Sequence, residues 1–485
     1  MQKMVKVNLF IVLFLKIILI SFFPLTGDEA YFIFWADNIN IGFYDHPPMI
    51  GWVVYLMSFI IDDFRFFRLF SFFSALLASY LIYKILLEFE VDKERSKLIG
   101  VLFLLMPVDV LMILIVNDIP LFIFGLLGGY FLLKSLRVDW LKNAFISGLF
   151  LGLSFLSKYF SVFLVLGLVL YVIFSGNRKH LKNVMVVLLV VVPFGLQNLY
   201  FNYVSCWNNI MFNFFARSEG LEYSLKTFVG FLFVLIYYFT PWGVYYLLKS
   251  KISKDNLLKF ILFSVSVGAV VYTIVSLKKT IGLHWLLLFI PFIVMLFSYL
   301  KEEYMAKMIK YTLVFTYIHI VVLLVISFLP SSLFESNKNY NTVLMFKNTD
   351  LICEKIERYD NIYATDYTSS AILSYHCDER INVVMNNSKY GRESDKVVDV
   401  NSLQGESINI FYRKPPNIKS LEKVFDEVEI KEVPLLNTKF YMAEVKNIKY
   451  EEYKKYYLDV QREKFYDIPD WLPQGMCYFH DRYYD

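Results

Sequence analysis

Two adjacent carboxylates, Asp28 and Glu29, follow the first long apolar run of the chain at residues 7–23. If that run enters a membrane, they lie at its surface, where a carboxylate can take a proton from an incoming hydroxyl group. They can equally cap a surface helix that begins at Ala30, since Thr26 or Asp28 would accept hydrogen bonds from its first N–H groups. On position alone capping is the simpler interpretation, so a catalytic role needs support from other residues.

The segment after these carboxylates is both acidic and aromatic, and it runs to the motif at residues 44–48. It is too polar to lie within lipid and too rich in Phe, Tyr and Trp to be an ordinary linker. This pattern predicts an interfacial outer loop over residues 24–65, with Tyr44 and His46 as candidates for substrate binding. A histidine before two prolines is, however, more often a turn residue than a ligand.

Two later loops also carry polar residues beside apolar runs. Asp118 precedes Pro120 by two places, which is also an ordinary helix start, because proline is favoured in the first turn of a helix. Lys158 lies next to Tyr159 between two apolar runs. It is a candidate for binding an anion, or it extends its ammonium group to the membrane surface beside the ring.

A basic pair, Lys278 and Lys279, is followed closely by His284 at the mouth of another apolar run. Such a pair is usually a solvated turn, and the competing interpretation is that it binds an anionic headgroup. Lys16 lies inside the first apolar run. A charge at that depth predicts an interior polar partner, unless a tilted helix brings it to the interface.

Composition sets the class of the protein. Hydrophobic residues make up 57% of the 485 residues and aromatic residues 19%, which leaves too little polar surface to cover a soluble core of this length. The formal net charge of +4 is small and gives no case for nucleic acid, which calls for a concentrated basic face.

Eleven apolar windows have about the length of a helix that crosses a bilayer, roughly 17 to 25 residues. They lie at residues 7–23, 66–88, 98–116, 119–134, 143–157, 159–175, 183–203, 227–248, 258–277, 283–300 and 311–330. We therefore predict a polytopic α-helical membrane protein with about 11 transmembrane helices. No small-residue cleavage site follows the first window, so we interpret it as an anchor and not as a signal peptide.

The distribution of Lys and Arg over the short loops predicts the orientation. With the amino terminus inside, the cytoplasmic side holds 18 basic residues and the outer loops before Pro330 hold six. The cytoplasmic set is Lys3, Lys6, Lys93, Arg95, Lys97, Lys134, Arg137, Lys142, Arg178, Lys179, Lys182, Lys249, Lys251, Lys254, Lys259, Lys301, Lys307 and Lys310, and the outer set is Arg65, Lys158, Arg217, Lys226, Lys278 and Lys279. This bias places the Asp28 loop and the tail on the outer side.

The tail at residues 331–485 differs from the transmembrane domain at residues 1–330. Lys, Asp, Glu and Asn become frequent, and strand-like runs occur at residues 361–364 and 408–412. About 155 residues suffice for one soluble α/β or α+β domain with its own core. We therefore predict a second, extracytoplasmic domain.

Three of the four cysteines, Cys353, Cys377 and Cys477, lie in this tail. An oxidising compartment would permit a disulfide, and a bond between Cys353 and Cys377 is conceivable. We favour buried free thiols for each of them. The spacing is not that of a zinc site.

Several of these motifs occur together in the order found in the GT-C-type membrane glycosyltransferases, which the chain resembles over residues 7 to 300. The matching motifs lie at residues 27–31, 42–49, 65–69 with Arg68, 117–121, 152–159 and 284–285. Within that group the chain is similar to the bacterial relatives of dolichyl-phosphate-mannose protein mannosyltransferase and of lipid A aminoarabinose transferase. In the tail, residues 365–367 and 390–392 are faintly similar to the outer domain of the same group.

The resemblance implies roles for particular residues. Asp28 matches the first-loop catalytic position with Glu29 beside it, and Asp118 matches the second acidic position. Lys158, Lys278 and His284 match places near the donor phosphate. Further candidates for substrate binding, from the same motifs or next to them, are Tyr159, Lys279, Tyr44, His46 and Arg68. Family members differ in their need for a divalent metal, for which Asp28, Glu29, His46 and Asp118 are the only candidate ligands, so the metal stays open.

The resemblance thus implies an inner-membrane glycosyltransferase that moves a sugar from a polyprenyl phosphate, expected to be undecaprenyl phosphate, onto an outer-face lipid A, glycan or protein acceptor. A single in-line displacement would invert the anomeric carbon. The alternative is a lipid-linked sugar flippase or other transporter. A transporter would favour ionisable residues deep inside several spans, whereas here they cluster at one face. Neither the sugar nor the acceptor can be read from the sequence.

Overall fold

The computed structural model describes residues 2–174, 177, 180–218, 220, 222–389 and 391–485. Two residues of the charge count, Arg178 and Lys179, and Tyr390 of the tail motif therefore lie outside the described residues.

The first two thirds of the described chain is helical, because long apolar runs are interrupted there only by short polar loops. The helices are α1 (Gln2–Phe22), α2 (Gly27–Ala36), α3 (Met49–Ser58), α4 (Phe64–Glu88), α5 (Lys93–Leu104), α6 (Pro107–Leu111), α7 (Asp118–Ser135), α8 (Trp140–Phe155), α9 (Ser161–Phe174), α10 (Leu181–Tyr203), α11 (Asn208–Ile210), α12 (Leu225–Phe239), α13 (Pro241–Leu248), α14 (Asn256–Ser276), α15 (Ile290–Val294) and α16 (Glu302–Phe328). A π-helical turn covers Met211–Ala216, and 3₁₀ turns flank α15 at Leu283–Phe289 and Met295–Tyr299.

Six of the described helices, α1, α4, α7, α10, α14 and α16, are long and apolar enough to cross a membrane. A seventh span results if α12 and α13, which meet at 78°, count as one. This bend lies at Pro241, which has no N–H to continue the α12 hydrogen-bond ladder. The prediction of a polytopic helical membrane protein is confirmed.

The other four predicted windows fall on shorter or interrupted helices. The window at residues 98–116 is divided between α5 and α6, while α8 and α9 have 16 and 14 residues. The window at residues 283–300 is a mixture of 3₁₀ and α-helix around α15. The count of eleven spans therefore stays a prediction.

The chain divides into two compact units that differ from a simple cut at residue 330. The first unit comprises Met1–Phe23, Leu56–Gln197 and Gly220–Ser327. The second unit comprises Pro24–Tyr55, Asn198–Glu219 and Phe328–Asp485. Most of the first outer loop thus belongs to the same unit as the tail, and a domain boundary at residues 330 and 331 stays a prediction.

Buried charges in the first unit are paired. Lys16 Nζ lies 2.7 Å from Asp109 Oδ2, and both side chains are fully buried. The structure therefore gives Lys16 the interior polar partner that its depth requires. Arg68 is also fully buried, and its guanidinium donates to the carbonyl oxygens of Ile20 and Phe23 at 3.1 and 2.7 Å. A side-chain donor of this kind satisfies carbonyl groups at the end of α1.

The tail of the second unit folds around a mixed five-stranded sheet. The strands are β1 (Ile362–Ala364), β2 (Asn382–Val383), β3 (Ser407–Tyr412), β4 (Phe425–Leu435) and β5 (Thr438–Ile448). Their order is β2-β1-β3-β5-β4, with β1 parallel to β2 and β3 and with β5 antiparallel to β3 and β4. The two strand-like runs of the sequence fall on β1 and β3.

Short helices surround this sheet and bury its apolar side chains. They are α17 (Tyr340–Lys347), α18 (Thr349–Ile356), α19 (Tyr367–His376), α20 (Ser394–Val397), α21 (Ile418–Val424), α22 (Tyr450–Tyr453), α23 (Asp459–Gln461) and α24 (Tyr478–Tyr483). Ile408 and Ile410 of β3 pack with Val445 of β5 in one buried core. All the buried residues of this core belong to the second unit, as expected for a unit with its own fold.

All four cysteines form disulfide bonds, which corrects the expectation of free thiols. Cys353 is bonded to Cys377, with Cα atoms 5.1 Å apart, and Cys206 is bonded to Cys477, with Cα atoms 4.4 Å apart. The second bond was not foreseen, because its cysteines are 271 positions apart in the sequence. Only the fold of the second unit brings them together.

Candidate active site

The two adjacent carboxylates at the start of α2 have different roles. Thr26 and Glu29 form a capping box, in which the Glu29 N–H donates to Thr26 Oγ1 and the Glu29 carboxylate accepts from the Thr26 N–H at 3.1 Å. Glu29 is fully buried, so it stabilises the helix start in the way the capping interpretation expects. Asp28 is exposed. Of the two, Asp28 is the carboxylate that substrate can reach.

A tyrosine from the tail holds Asp28. The hydroxyl of Tyr367, the first residue of α19, donates to Asp28 Oδ1 at 2.9 Å. The helices approach closely here, since a Cβ at Gly27 would lie 2.5 Å from Thr368 Cγ2. Burial raises the pKa of Tyr367, and the charge of Asp28 raises it further while Arg392 opposes this. The tyrosine therefore stays protonated and donates to the carboxylate at neutral pH.

Arg392 lies against the same tyrosine. Its guanidinium is 3.7 Å from the centre of the Tyr367 ring, and its NH1 is 3.3 Å from Oδ2 of the fully buried Asp45. Burial lowers the pKa of Arg392, but interactions with Asp45, Tyr31, Tyr367 and Asp28 outweigh it and raise the pKa. Its Nε is buried without a hydrogen-bond partner among the described residues. This guanidinium is permanently charged and has donor capacity left over.

Two further cations belong to this group. The guanidinium of Arg217 lies 4.8 Å from the centre of the Phe212 ring, and that of Arg392 lies 6.0 Å from the same ring. Burial lowers the pKa of Lys389, and both arginines lower it further. Three cations thus accompany two carboxylates, Asp28 and Asp45. A bound anion would relieve the repulsion among the cations.

The first outer loop is fixed within this unit by hydrogen bonds. The N–H of the buried Tyr44 donates to Glu393 Oε2 at 2.8 Å, and Asn213 Nδ2 donates to the carbonyl oxygen of Asp45 at 2.8 Å. His46 is half-buried, with Nε2 3.9 Å from Asp45 Oδ2. Tyr44 and His46 therefore lie in the loop that positions Asp45, and their contact with substrate stays a prediction.

In the first unit, the two residues assigned to catalysis and phosphate binding form an ion pair. Lys158 Nζ lies 2.9 and 3.0 Å from the two carboxylate oxygens of Asp118. The side chains are 9% and 3% exposed. Because each charge offsets the other, neither side chain presents an isolated charge to a substrate.

The other site residues predicted in the first unit differ in exposure and in the groups that they contact. Lys278 is exposed and lies 4.7 Å from the centre of the Tyr223 ring, and Lys279 lies 5.8 Å from that of Trp285. His284 is exposed. Tyr159 packs edge-on against Phe155, with ring centroids 5.8 Å apart, and Arg68 holds the end of α1. Their roles in donor binding stay predictions.

Sequence reasoning missed most of the charged group around Asp28. Arg217 entered only the charge count, and Asp45 and Lys389 were not singled out. For Arg392 and Tyr367 a signal existed, since the faint tail motifs at residues 365–367 and 390–392 contain them. What could not be read was that these motifs lie beside Asp28.

The candidate metal ligands do not form a donor set. Within the described part of the chain, no group of three or more His, Cys, Asp or Glu side chains could hold a metal ion. Glu29 is part of the helix cap, Asp118 is bound by Lys158, and Asp28 accepts from Tyr367. Among the described residues, these side chains therefore do not offer the donor set of a protein-held metal.

Comparison with known proteins gives a consistent family. Residues 45–198 match the family model of dolichyl-phosphate-mannose-protein mannosyltransferase. Lipid A galacturonosyltransferase RgtD of Rhizobium johnstonii is 26% identical over 242 residues, which are 46% of this chain and 50% of that protein. The match thus spans about half the length of this curated relative.

The fold also has solved counterparts. ArnT from Cupriavidus metallidurans in the apo state has a TM-score of 0.65 at 14% identity, covering 91% of this chain and 98% of that one. ArnT bound to undecaprenyl phosphate has the same score and coverage at 13% identity. At this identity the structures show the fold alone. The family match and the relative thus agree with the resemblance to the GT-C-type membrane glycosyltransferases, and the solved structures share the fold.

Proposed function

We propose that this glycosyltransferase moves one sugar from a polyprenyl phosphate, with undecaprenyl phosphate as the carrier, to an acceptor at the outer face of the membrane. One observation carries the proposal: Asp28, held by Tyr367, lies in the same group as Arg217, Lys389 and Arg392. The relative named for lipid A and the solved ArnT that binds undecaprenyl phosphate support this choice of donor and favour a lipid acceptor.

The chemistry of the group suits a phosphate leaving group. As the acceptor oxygen bonds to the anomeric carbon, the bond from that carbon to the phosphate oxygen breaks, and its electron pair stays on the phosphate. The cations stabilise this growing charge. The proton of an acceptor hydroxyl passes to Asp28, and the single displacement inverts the anomeric carbon. If the acceptor group is itself a phosphate, Asp28 positions it and takes no proton.

Donor binding tests the cationic part of the proposal. We expect Arg217→Gln, Lys389→Met and Arg392→Gln each to weaken the binding of undecaprenyl phosphate by about 10- to 150-fold, since a charge-assisted phosphate contact is worth about 1.5 to 3 kcal/mol. Affinity is measured with the purified full-length protein in nanodiscs, using undecaprenyl phosphate itself as the ligand. The exposed Lys419 of the same unit supplies a control, Lys419→Met, which should bind like wild type.

Arg392→Gln also removes the partner of the buried Asp45, so its folding is checked by thermal unfolding. If Arg392→Gln is unstable, the result is decided by the binding of donor to Arg217→Gln and Lys389→Met. Wild-type affinity in Arg217→Gln, Lys389→Met and their double variant would show that the phosphate binds elsewhere, with the Lys278 and Lys279 loop as the next place to test.

Localisation is the second part of the proposal, because a flipped lipid-linked sugar is available only on the outer side. A cysteine at the exposed Ser402 of the tail should react with a membrane-impermeant maleimide in intact spheroplasts, whereas one at the exposed Ser253 should react only after lysis. The native cysteines are bonded in pairs and can remain in place. The reverse pattern would turn the Asp28 loop to the cytoplasm, where soluble nucleotide sugars are the available donors.

The sugar and the acceptor are identified in the cell. Mass spectrometry of envelope lipids, glycans and proteins from a deletion strain should show one lost sugar modification, restored by the wild-type gene. Loss from a lipid fraction would agree with a lipid acceptor, and loss from glycans or proteins would exclude it.

A further inference from the structure

We infer that residues 469–476 form an interfacial anchor that inserts into the outer-leaflet boundary between lipid headgroups and acyl chains. The partner is the lipid surface itself. This inference depends on α10 crossing the membrane and is independent of the reaction proposed above.

The segment exposes large apolar side chains. Trp471 is 71% exposed and Met476 is 64% exposed, and Phe214, which precedes Phe215 in the sequence, is 61% exposed. The ring of Trp471 lies 6.4 Å from that of Phe215. By contrast Leu472 is buried against Trp207 and Met211. One side of the segment thus holds it to the unit, while the other side presents an aromatic and aliphatic surface.

The segment is fastened directly to the end of a membrane-crossing helix. α10 ends at Tyr203, and three residues later Cys206 is bonded to Cys477. The Cys206 N–H donates to the carbonyl oxygen of Met476 at 3.1 Å, and Trp207 Nε1 donates to that of Pro473 at 3.0 Å.

Contact at the helix end itself is equally close. A Cβ at Gly475 would lie 2.0 Å from the carbonyl oxygen of Tyr203, so only glycine allows the segment to approach the last turn of α10. Wherever α10 leaves the bilayer, residues 469–476 are therefore held at the same level.

The exposed side chains of this region are of the types that favour the membrane interface. Tyr200 and Tyr203 of the last turn of α10 are exposed at 60% and 40%, so exposed aromatic rings are present both at the end of the helix and, at Trp471, on the segment fastened to it. Trp and Tyr are enriched at this depth because the ring is apolar while its N–H or O–H stays hydrated. Apolar side chains of interfacial segments enter about 5 to 10 Å into this boundary.

Fluorescence quenching tests the anchor in the intact protein. Trp471 is the only tryptophan between residues 331 and 485, so the difference in emission between wild type and Trp471→Phe reports on this position. In nanodiscs whose lipids carry bromine near the headgroup end of the acyl chain, we expect this difference emission to fall by roughly half or more relative to unbrominated nanodiscs. Both proteins keep an aromatic ring at position 471, which protects the fold.

A matched control places the tryptophan at another exposed position of the same unit. Ile418 is 49% exposed on α21, and in the double variant Trp471→Phe/Ile418→Trp the emission of the new tryptophan should be much less quenched. Equal emission of Trp471 with and without bromine would overturn the inference. If light scattering then showed a dimer that Trp471→Ser dissociates, the surface would be an interface with a second copy and not a lipid contact.

Discussion

Asp28→Asn should reduce sugar transfer by about 100- to 10,000-fold, the usual cost of losing a general base, while the protein stays folded. The change keeps the volume of the side chain and removes only its charge. In the wild type the Tyr367 hydroxyl lies 2.9 Å from Asp28 Oδ1. Because the amide oxygen of asparagine can still accept this hydrogen bond, we expect no local rearrangement. Turnover is measured on purified protein in a reaction limited by chemistry, with the sugar and acceptor identified from the deletion strain.

Two neighbouring carboxylates serve as comparisons. Asp62 is exposed in the first outer loop, so Asp62→Asn removes the same charge and should leave turnover unchanged. Glu29→Gln should cost far less than Asp28→Asn, since glutamine also completes a capping box. Near-wild-type turnover by Asp28→Asn would reject Asp28 as the base, and it would leave a positioning role only if the acceptor group is a phosphate.

Lys158→Met should destabilise the first unit by about 3 to 5 kcal/mol, because it leaves the carboxylate of Asp118 buried without its partner. Asp118 is only 3% exposed, and both its oxygens are bound by Lys158. The thermal unfolding midpoint of the purified protein in detergent measures the effect. Lys278→Met, which removes a lysine that is exposed, should leave the midpoint unchanged.

The double variant separates structure from catalysis. Lys158→Met/Asp118→Leu removes both charges and should recover most of the lost stability, since an apolar pair of similar size is tolerated where an ion pair was buried. If the pair is only structural, the double variant transfers sugar. If Asp118 is the second acidic group of the reaction, the double variant is stable and inactive. A stable Lys158→Met single variant would mean that Asp118 has another partner or is protonated.

Local chemistry made the first-loop carboxylates visible in the sequence, but it could not tell them apart. Asp28 and Glu29 are adjacent and equally acidic. Only the contact of Glu29 with Thr26 and that of Asp28 with Tyr367 assign one to the helix cap and the other to the accessible surface. The capping interpretation is therefore confirmed for Glu29, whereas the catalytic interpretation stays a prediction for Asp28.

Periodicity predicted the helical membrane class, because apolar length is a local property. It could not resolve which windows are complete spans, since a helix of 14 residues and a bent pair with Pro241 have the same composition as a straight span. The pairing of Lys158 with Asp118, 40 positions away, and the approach of Arg392 to Asp45 are tertiary contacts. These contacts depend on how helices and loops pack, and tertiary packing leaves no local pattern that can be recognised in a single sequence.

The bond between Cys206 and Cys477 can form only after nearly the whole chain has been synthesised. The chain from Cys206 to Cys477, a separation of 271 positions, takes roughly 15 to 50 s to synthesise at the usual rate of translation. If Cys206 emerges first into an oxidising compartment, its thiol is without its native partner during that interval, while Cys353 and Cys377 emerge. Oxidation in order of appearance would join Cys206 to Cys353. The native pattern nests one bond inside the other, so the yield of correctly paired protein depends on disulfide exchange and not on oxidation alone.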